Sequence, residues 1–158
     1  MREILFRGKR IDNGEWIYGL LTREIFYDMH KGVERAYCIK EIPETVGDSY
    51  LWVRVDTETV GQYTGLTDKN GKKIFEGDIV EFSTTDYCGG KYYGKVVFRK
   101  GCYGIEYVLF GETKLFHRIG EIGRWQDMGA SGTITYKYQK IGNIHDNPEL
   151  LKEVKNVC

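Results

Sequence analysis

The residue types that could do chemistry are present in this chain, but their spacing argues against most reactions. Cysteines stand at 38, 88, 102 and 158. Zinc sites pair ligands a few residues apart, so that one turn presents both. No Cys pair has that spacing, and Cys88, Cys102 and His117 lie 14 and 15 residues apart. No metal site is expected. Ser49, Ser83 and Ser131 sit in no Gly-x-Ser-x-Gly elbow. Glu76, Asp78 and Glu81 cluster where a strand should begin. Paired carboxylates can do acid–base work in a cleft, but around a turn they more often take backbone N–H groups or water. Cys88-Gly89-Gly90 has no Gly-Lys-Ser/Thr and no following helix, so a phosphate cradle is absent. Neither a catalytic residue nor a cofactor is expected, and an enzyme not built on a known motif stays as a third alternative.

The sharpest constellation is basic and aromatic. Residues 85–103 carry Lys91, Lys95, Arg99 and Lys100 against Asp86 alone, a local balance of +3. Tyr87, Tyr92, Tyr93 and Tyr103 lie among them. Strands bearing exposed rings and cations can stack bases and meet phosphates. Lys91, Tyr92, Tyr93, Lys95, Arg99 and Lys100 are therefore the candidate nucleic-acid contacts. The competing interpretation puts half the tyrosines in a core and leaves the lysines as ordinary surface. Residues 40–86 are opposite in sign, with five positive and ten negative side chains, −5 in all. An acidic stretch beside a basic one suits a protein partner or self-association equally well.

Elements of a mainly β fold must position these groups. The 158 residues make one ordinary domain, or two small lobes divided as 1–57 and 58–158. A chain of this size buries enough surface to fold without disulfide or metal. Twenty glycines and twelve tyrosines lean towards short strands and tight turns. With 23 charges of each sign the net charge is zero, unlike a dedicated nucleic-acid binder. The opening MREILFRGKR has no long apolar run, so no signal peptide is expected. No stretch is long and apolar enough for a membrane helix. Unpaired thiols fit a reducing cytoplasm.

Turn chemistry divides the chain. Asp12-Asn13-Gly14 separates two alternating runs and predicts a tight hairpin. Residues 22–43 fit two strands turning at Lys31-Gly32, or a short helix over 23–30; the β-like run Tyr37-Cys38-Ile39 favours strands. Leu51, Val53 and Val55 share one face of a strand, with Trp52 and Arg54 on the other. Asp68-Lys69-Asn70-Gly71 predicts a second hairpin turn, and Glu76-Gly77-Asp78 a break before Val80 and Phe82 enter a core. Short strands then recur between glycines about every ten residues, the pattern of a small SH3-like barrel. The stretch TITYKYQKI reads as the last strand. Asn147 and Pro148 predict a short C-terminal helix over 147–158.

Three segments, MREILFRGKRIDNGEWIYG, GQYTGLTDKNGKKIFEGDIV and IGNIHDNPELL, resemble the YopX family of bacteriophage and prophage proteins. They fall at the start, middle and end, so the likeness spans one unit over 1–158. Tyr63–Val80 is the most specific part. The resemblance implies a mostly β fold and a cytoplasmic setting in a bacterial host, and it implies no activity, cofactor or site residue. The expected function is accessory: binding a host or phage protein, with a homo-oligomer as a further expected partnership, nucleic-acid binding through 87–103 as the alternative and no membrane role.

Overall fold

The computed structural model describes residues 3–30, 32–41, 52–83, 91–109, 113–119, 123–124, 133–134 and 138–151. The chain divides into two compact units, 1–65 and 66–158. The described residues are mainly antiparallel β-structure.

The first unit is built from β1 (Phe6–Arg10), β2 (Trp16–Asp28), β3 (Gly32–Lys40) and most of β4 (Trp52–Thr67). Each strand pairs antiparallel with the next, and β4 returns to β1, with Phe6 opposite Gln62 and Arg10 opposite Val55. The result is a closed four-stranded antiparallel barrel. Ile17, Ile39 and Val55 fill it, with Phe6, Leu21, Val53 and Val60 packed around them. The closing ladder shifts register between Arg7 and Lys9. Thr59 fills the gap: its hydroxyl accepts the Lys9 N–H at 2.8 Å and donates to the Asp56 carbonyl at 2.7 Å. The Lys9 N–H thus keeps an acceptor across the bulge.

Local chemistry explains the first hairpin. Asp12-Asn13-Gly14 lies in a four-residue loop in which the Gly14 N–H reaches the Arg10 carbonyl (3.0 Å) and Arg10 and Glu15 pair. Gly14 takes φ +74°, which an L side chain resists. Residues 22–40 form two strands, as the run around Cys38 predicts; Asp28 faces Gly32 across the turn. Beyond Gly19 the second strand changes partner from β1 to β3. A Cβ at Gly19 would collide with the Lys40 carbonyl, so this change of partner needs a glycine.

The second unit contains β5 (Lys73–Phe75), which pairs with the end of β4, then β6 (Asp78–Ser83), β7 (Lys91–Arg99), β8 (Cys102–Leu109) and β9 (Thr113–Arg118). A two-residue ladder joins β10 (Gly123–Arg124) to β11 (Thr133–Ile134), and β12 (Gln139–Asn143) follows. The main sheet runs β12-β6-β7-β8-β9, all antiparallel where paired. Val80, Phe82, Tyr92, Val96 and Ile105 point from it into a core shared with Ile74 and Tyr138. Val80 and Phe82 are thus core residues, as their alternation predicts.

Two carboxylates fasten this unit. The turn after β4 is a three-residue loop with Gly71 at φ +79° and an N–H from Gly71 to the Asp68 carbonyl. Asp68 Oδ1 accepts the N–H groups of Asn70 (2.8 Å) and Lys72 (2.9 Å), and its Oδ2 accepts that of Lys140 (3.1 Å). Burial would raise its pKa, but these three donors hold it below the ordinary value. Asp78, fully buried, accepts the Phe75 N–H at 2.8 Å and meets Lys140 Nζ at 3.1 Å. Between them Gly77, at φ +81°, exchanges backbone bonds with Val96 and Ile144.

At the far end Asn143 Oδ1 accepts N–H groups from His145 and Asp146, shaping the turn that leads to Asn147. The expected helix begins at Pro148 as a single 3-10 turn, Pro148–Leu151. Its remainder, 152–158, lies outside the described residues, as do the loop at 84–90 and most of the run 125–137.

Replacing Asp68 by Asn should cost about 1–3 kcal/mol, because a buried site built for an acceptor receives a donor. The native Asp68 pKa is depressed, so its contribution is present above pH ~4 and is lost as pH falls through the native value. Urea unfolding at pH 7 and pH 3 should show the Asp68→Asn deficit shrinking at the lower pH. Gly19→Ala should destabilise by about 1–3 kcal/mol in the same assay, since backbone must move to admit the methyl group.

Candidate functional site

The basic–aromatic stretch falls on β7. Alternation along the strand sends Tyr92, Gly94 and Val96 inward and Lys91, Tyr93 and Lys95 outward. Tyr92 is 4% exposed, stacked on Phe82 with ring centroids 5.7 Å apart, and cannot offer its face to a base. This corrects the expectation that it is a surface contact: the strand period puts it in the core. Tyr103 is also buried, edge-on to Phe98. The other five candidates reach the surface. Tyr87 lies outside the described residues.

Neighbouring strands supply carboxylates to this face. Lys91 Nζ lies 3.0 Å from Glu81. Glu106 stands 3.9 Å from Lys95 and 3.7 Å from Arg99. The Tyr93 phenol is pushed up by burial first and then by its hydrogen bond to Glu81. Lys91 is raised chiefly by its hydrogen bond to the same carboxylate. Lys100 sits at φ +52° in the turn beside Gly101. The face is therefore a lattice of opposite charges, and its cations are already matched in part.

The acidic cluster does not converge on a cleft. Asp78 is a core anchor, Glu76 accepts the Phe98 N–H at 3.3 Å, and Glu81 serves Lys91 and Tyr93. Among the described residues no grouping of His, Cys, Asp and Glu could hold a metal ion. Cys38 is buried and unpaired; burial, then the charge of Glu24, raises its pKa. A thiol so placed is a poor nucleophile.

The surface that sequence reasoning did not single out lies on the first unit. Beyond Leu20 the strands β2 and β3, among the described residues, pair only with each other for most of their length, forming an arm. One face carries Ile25, Tyr27 and Val33 at 55%, 83% and 58% exposure, and Met29 at the turn is 99% exposed. Arg23 lies over the ring of Tyr37 at 5.9 Å. On the other face the Arg54 guanidinium covers Phe26 at 3.8 Å and meets Glu34 at 3.1 Å. Lys40 covers Trp52 at 4.9 Å. Cations set over rings form an amphipathic surface that can meet either apolar or acidic groups. The apolar run Ile25-Phe26-Tyr27 was the available signal, but by itself it reads as core.

Comparison with known proteins places the chain. The family model described as YopX protein matches residues 5–152. The chain belongs to the YopX family. No curated protein matches it. Among solved structures it is similar to the crystal structure of protein EF1440 from Enterococcus faecalis, at 24% identity and a TM-score of 0.49, over 96% of this chain and 99% of that one. No helix among the described residues of this YopX protein is long and apolar enough to cross a membrane.

Because Glu81 and Glu106 already face the cations of β7, Lys91→Glu/Lys95→Glu should leave gel-shift behaviour with DNA and RNA unchanged, with no salt-sensitive binding in either protein at low salt. A shift by the wild-type chain that the double variant loses would restore the nucleic-acid role.

Proposed function

We propose that this YopX protein is an accessory factor of phage or prophage origin that acts by binding a protein, of the host or of the phage, in the bacterial cytoplasm. The observation that carries this is the arm: Ile25, Tyr27 and Val33 on β2 and β3, and Met29 at the turn between them, stand exposed. Soluble monomers rarely leave such apolar groups contiguous in water, and where they do the patch is commonly an interaction site. A two-stranded ribbon wet on both faces is also marginal by itself, so a partner that covers one face would stabilise it. Unpaired Cys38 and Cys102 fit the reducing compartment. Protein binding ranks above nucleic-acid binding because the arm's apolar groups have no cover among the described residues, whereas the cations of β7 have carboxylate neighbours.

Capture from host cells provides the test. The tagged wild-type chain should retain a protein that Tyr27→Glu reduces at least tenfold, about 1.4 kcal/mol of binding, with the circular dichroism unchanged. Equal capture by both chains would remove the arm as the contact surface. Capture of nothing, by a chain that is also monomeric, would remove the proposal.

A further inference from the structure

Among the described residues the arm has an open edge as well as an open face. From Leu20 to Asp28, β2 pairs with β3 on one side, and no described strand pairs on the other. An edge of this length is a template for another strand. We propose that a second copy of the chain docks there, its β2 antiparallel to the first and centred on Ile25, so that two arms join in one four-stranded sheet. This rests on the protein-binding role above and names the partner.

Self-complementarity of the edge is the argument. Two antiparallel copies of one strand are related by a two-fold axis, and each residue faces the one equally far on the other side of the centre. Centred on Ile25, the apolar face sets Ile25 against Ile25 and Arg23 against Tyr27 of the second copy. The chain already uses that cation–ring pairing within the arm, where Arg23 lies over Tyr37. On the opposite face Glu24 meets Phe26 of the second copy. The Arg54 guanidinium covers that ring at 3.8 Å, so a carboxylate arrives beside a cation. Like charges are nowhere directly opposed in this register, and each copy contributes the same contacts to the other.

Neighbouring registers are worse. Centring on Glu24 sets two carboxylates face to face. Centring on Phe26 brings two ring-bound Arg54 guanidinium groups together. The outer edge of β3 is taken by β4 from Cys38 to Lys40, and a pairing of the remainder centred on Arg35 opposes two guanidinium groups, one centred on Glu34 two carboxylates. A foreign strand could use the β2 edge, but nothing in that edge selects one, whereas its order of charges and rings selects itself.

Light scattering across a concentration series tests this on the purified full chain. The expected mass is twice the 18.3 kDa of one chain. Ile25→Lys, a change at an exposed position, should weaken dimerisation at least about tenfold by placing two ammonium groups opposite each other. Register is read by disulfide trapping, with the linked peptides identified by mass so that native cysteines are told apart. Ile25→Cys should form a 25–25 link on mild oxidation, because directly opposed residues lie within disulfide reach; Glu24→Cys should form no 24–24 link. A monomer at every concentration, or a dimer unaffected by Ile25→Lys, overturns the self-pairing. If that monomer still captures another protein in a Tyr27-dependent way, only the self-pairing is lost. If Tyr27→Glu changes no capture either, the arm is lost as a binding surface altogether.

Discussion

The second unit depends on one lysine and two carboxylates. Lys140, on β12, gives its backbone N–H to Asp68 and its ammonium to the fully buried Asp78. Asp68 meanwhile closes its own turn through Asn70 and Lys72, and Asp78 holds the Phe75 N–H. A residue late in the chain is thereby tied to two successive turns 62 and 72 positions earlier. Without Lys140, Asp78 would stand as an uncompensated charge in a core, which costs far more than the pair itself contributes. The Lys140 ammonium also lies over the Phe75 ring, 5.8 Å from its centroid, so the cation has a ring as well as a carboxylate beside it. The turns, the start of β6 and the position of β12 follow from this arrangement.

It also gives a physical meaning to the family signature. The segment from Tyr63 to Val80 is recognisable because its residues are fixed by backbone conformation and buried polar bonding. Gly71 and Gly77 stand at positive φ; Asp68 and Asp78 spend their acceptors on N–H groups. Asn143, in the late signature, likewise shapes a turn with its own side chain. None of these groups is left to face a substrate. A signature made of such residues identifies a fold, and a function has to be sought where the signature is silent.

What the sequence disclosed, and what it withheld, follows the range of the forces involved. Asp12-Asn13-Gly14 and Asp68–Gly71 were legible because a left-handed glycine and an Asx acceptor act within a few residues. Tyr92 was misplaced as a surface contact although its period was available: it shares a face with Gly94 and Val96, so it lies inside while Lys91, Tyr93 and Lys95 lie outside. Barrel closure was not legible. It joins Arg7 to Gly61 and Lys9 to Asp56 across a shifted register, and no local pattern encodes a pairing of that separation or the Thr59 hydroxyl that fills its gap. Five of the described strands from Asp78 onward, whose spacing suggested a barrel, form the sheet β12-β6-β7-β8-β9, while the closed barrel belongs to β1–β4. Strand spacing reports how long each strand is and leaves open which edges meet.

The arm shows the same limit at the level of function. Ile25-Phe26-Tyr27 is an apolar run of the kind core strands carry, and such a run cannot say that no described residue folds over Ile25 and Tyr27. The register reveals it: β2 leaves β1 at Gly19, and among the described residues β3 pairs with β4 from Cys38 to Lys40. The glycine that lets β2 change partner within the barrel therefore also frees the rest of the strand to project. A closed barrel removes its own edges, yet this one makes a new edge by running two of its strands past the closure. Those strands carry apolar groups where a ribbon built only for solvent would carry charge, and this makes the excess length of β2 and β3 the part of the first unit that its own packing does not explain.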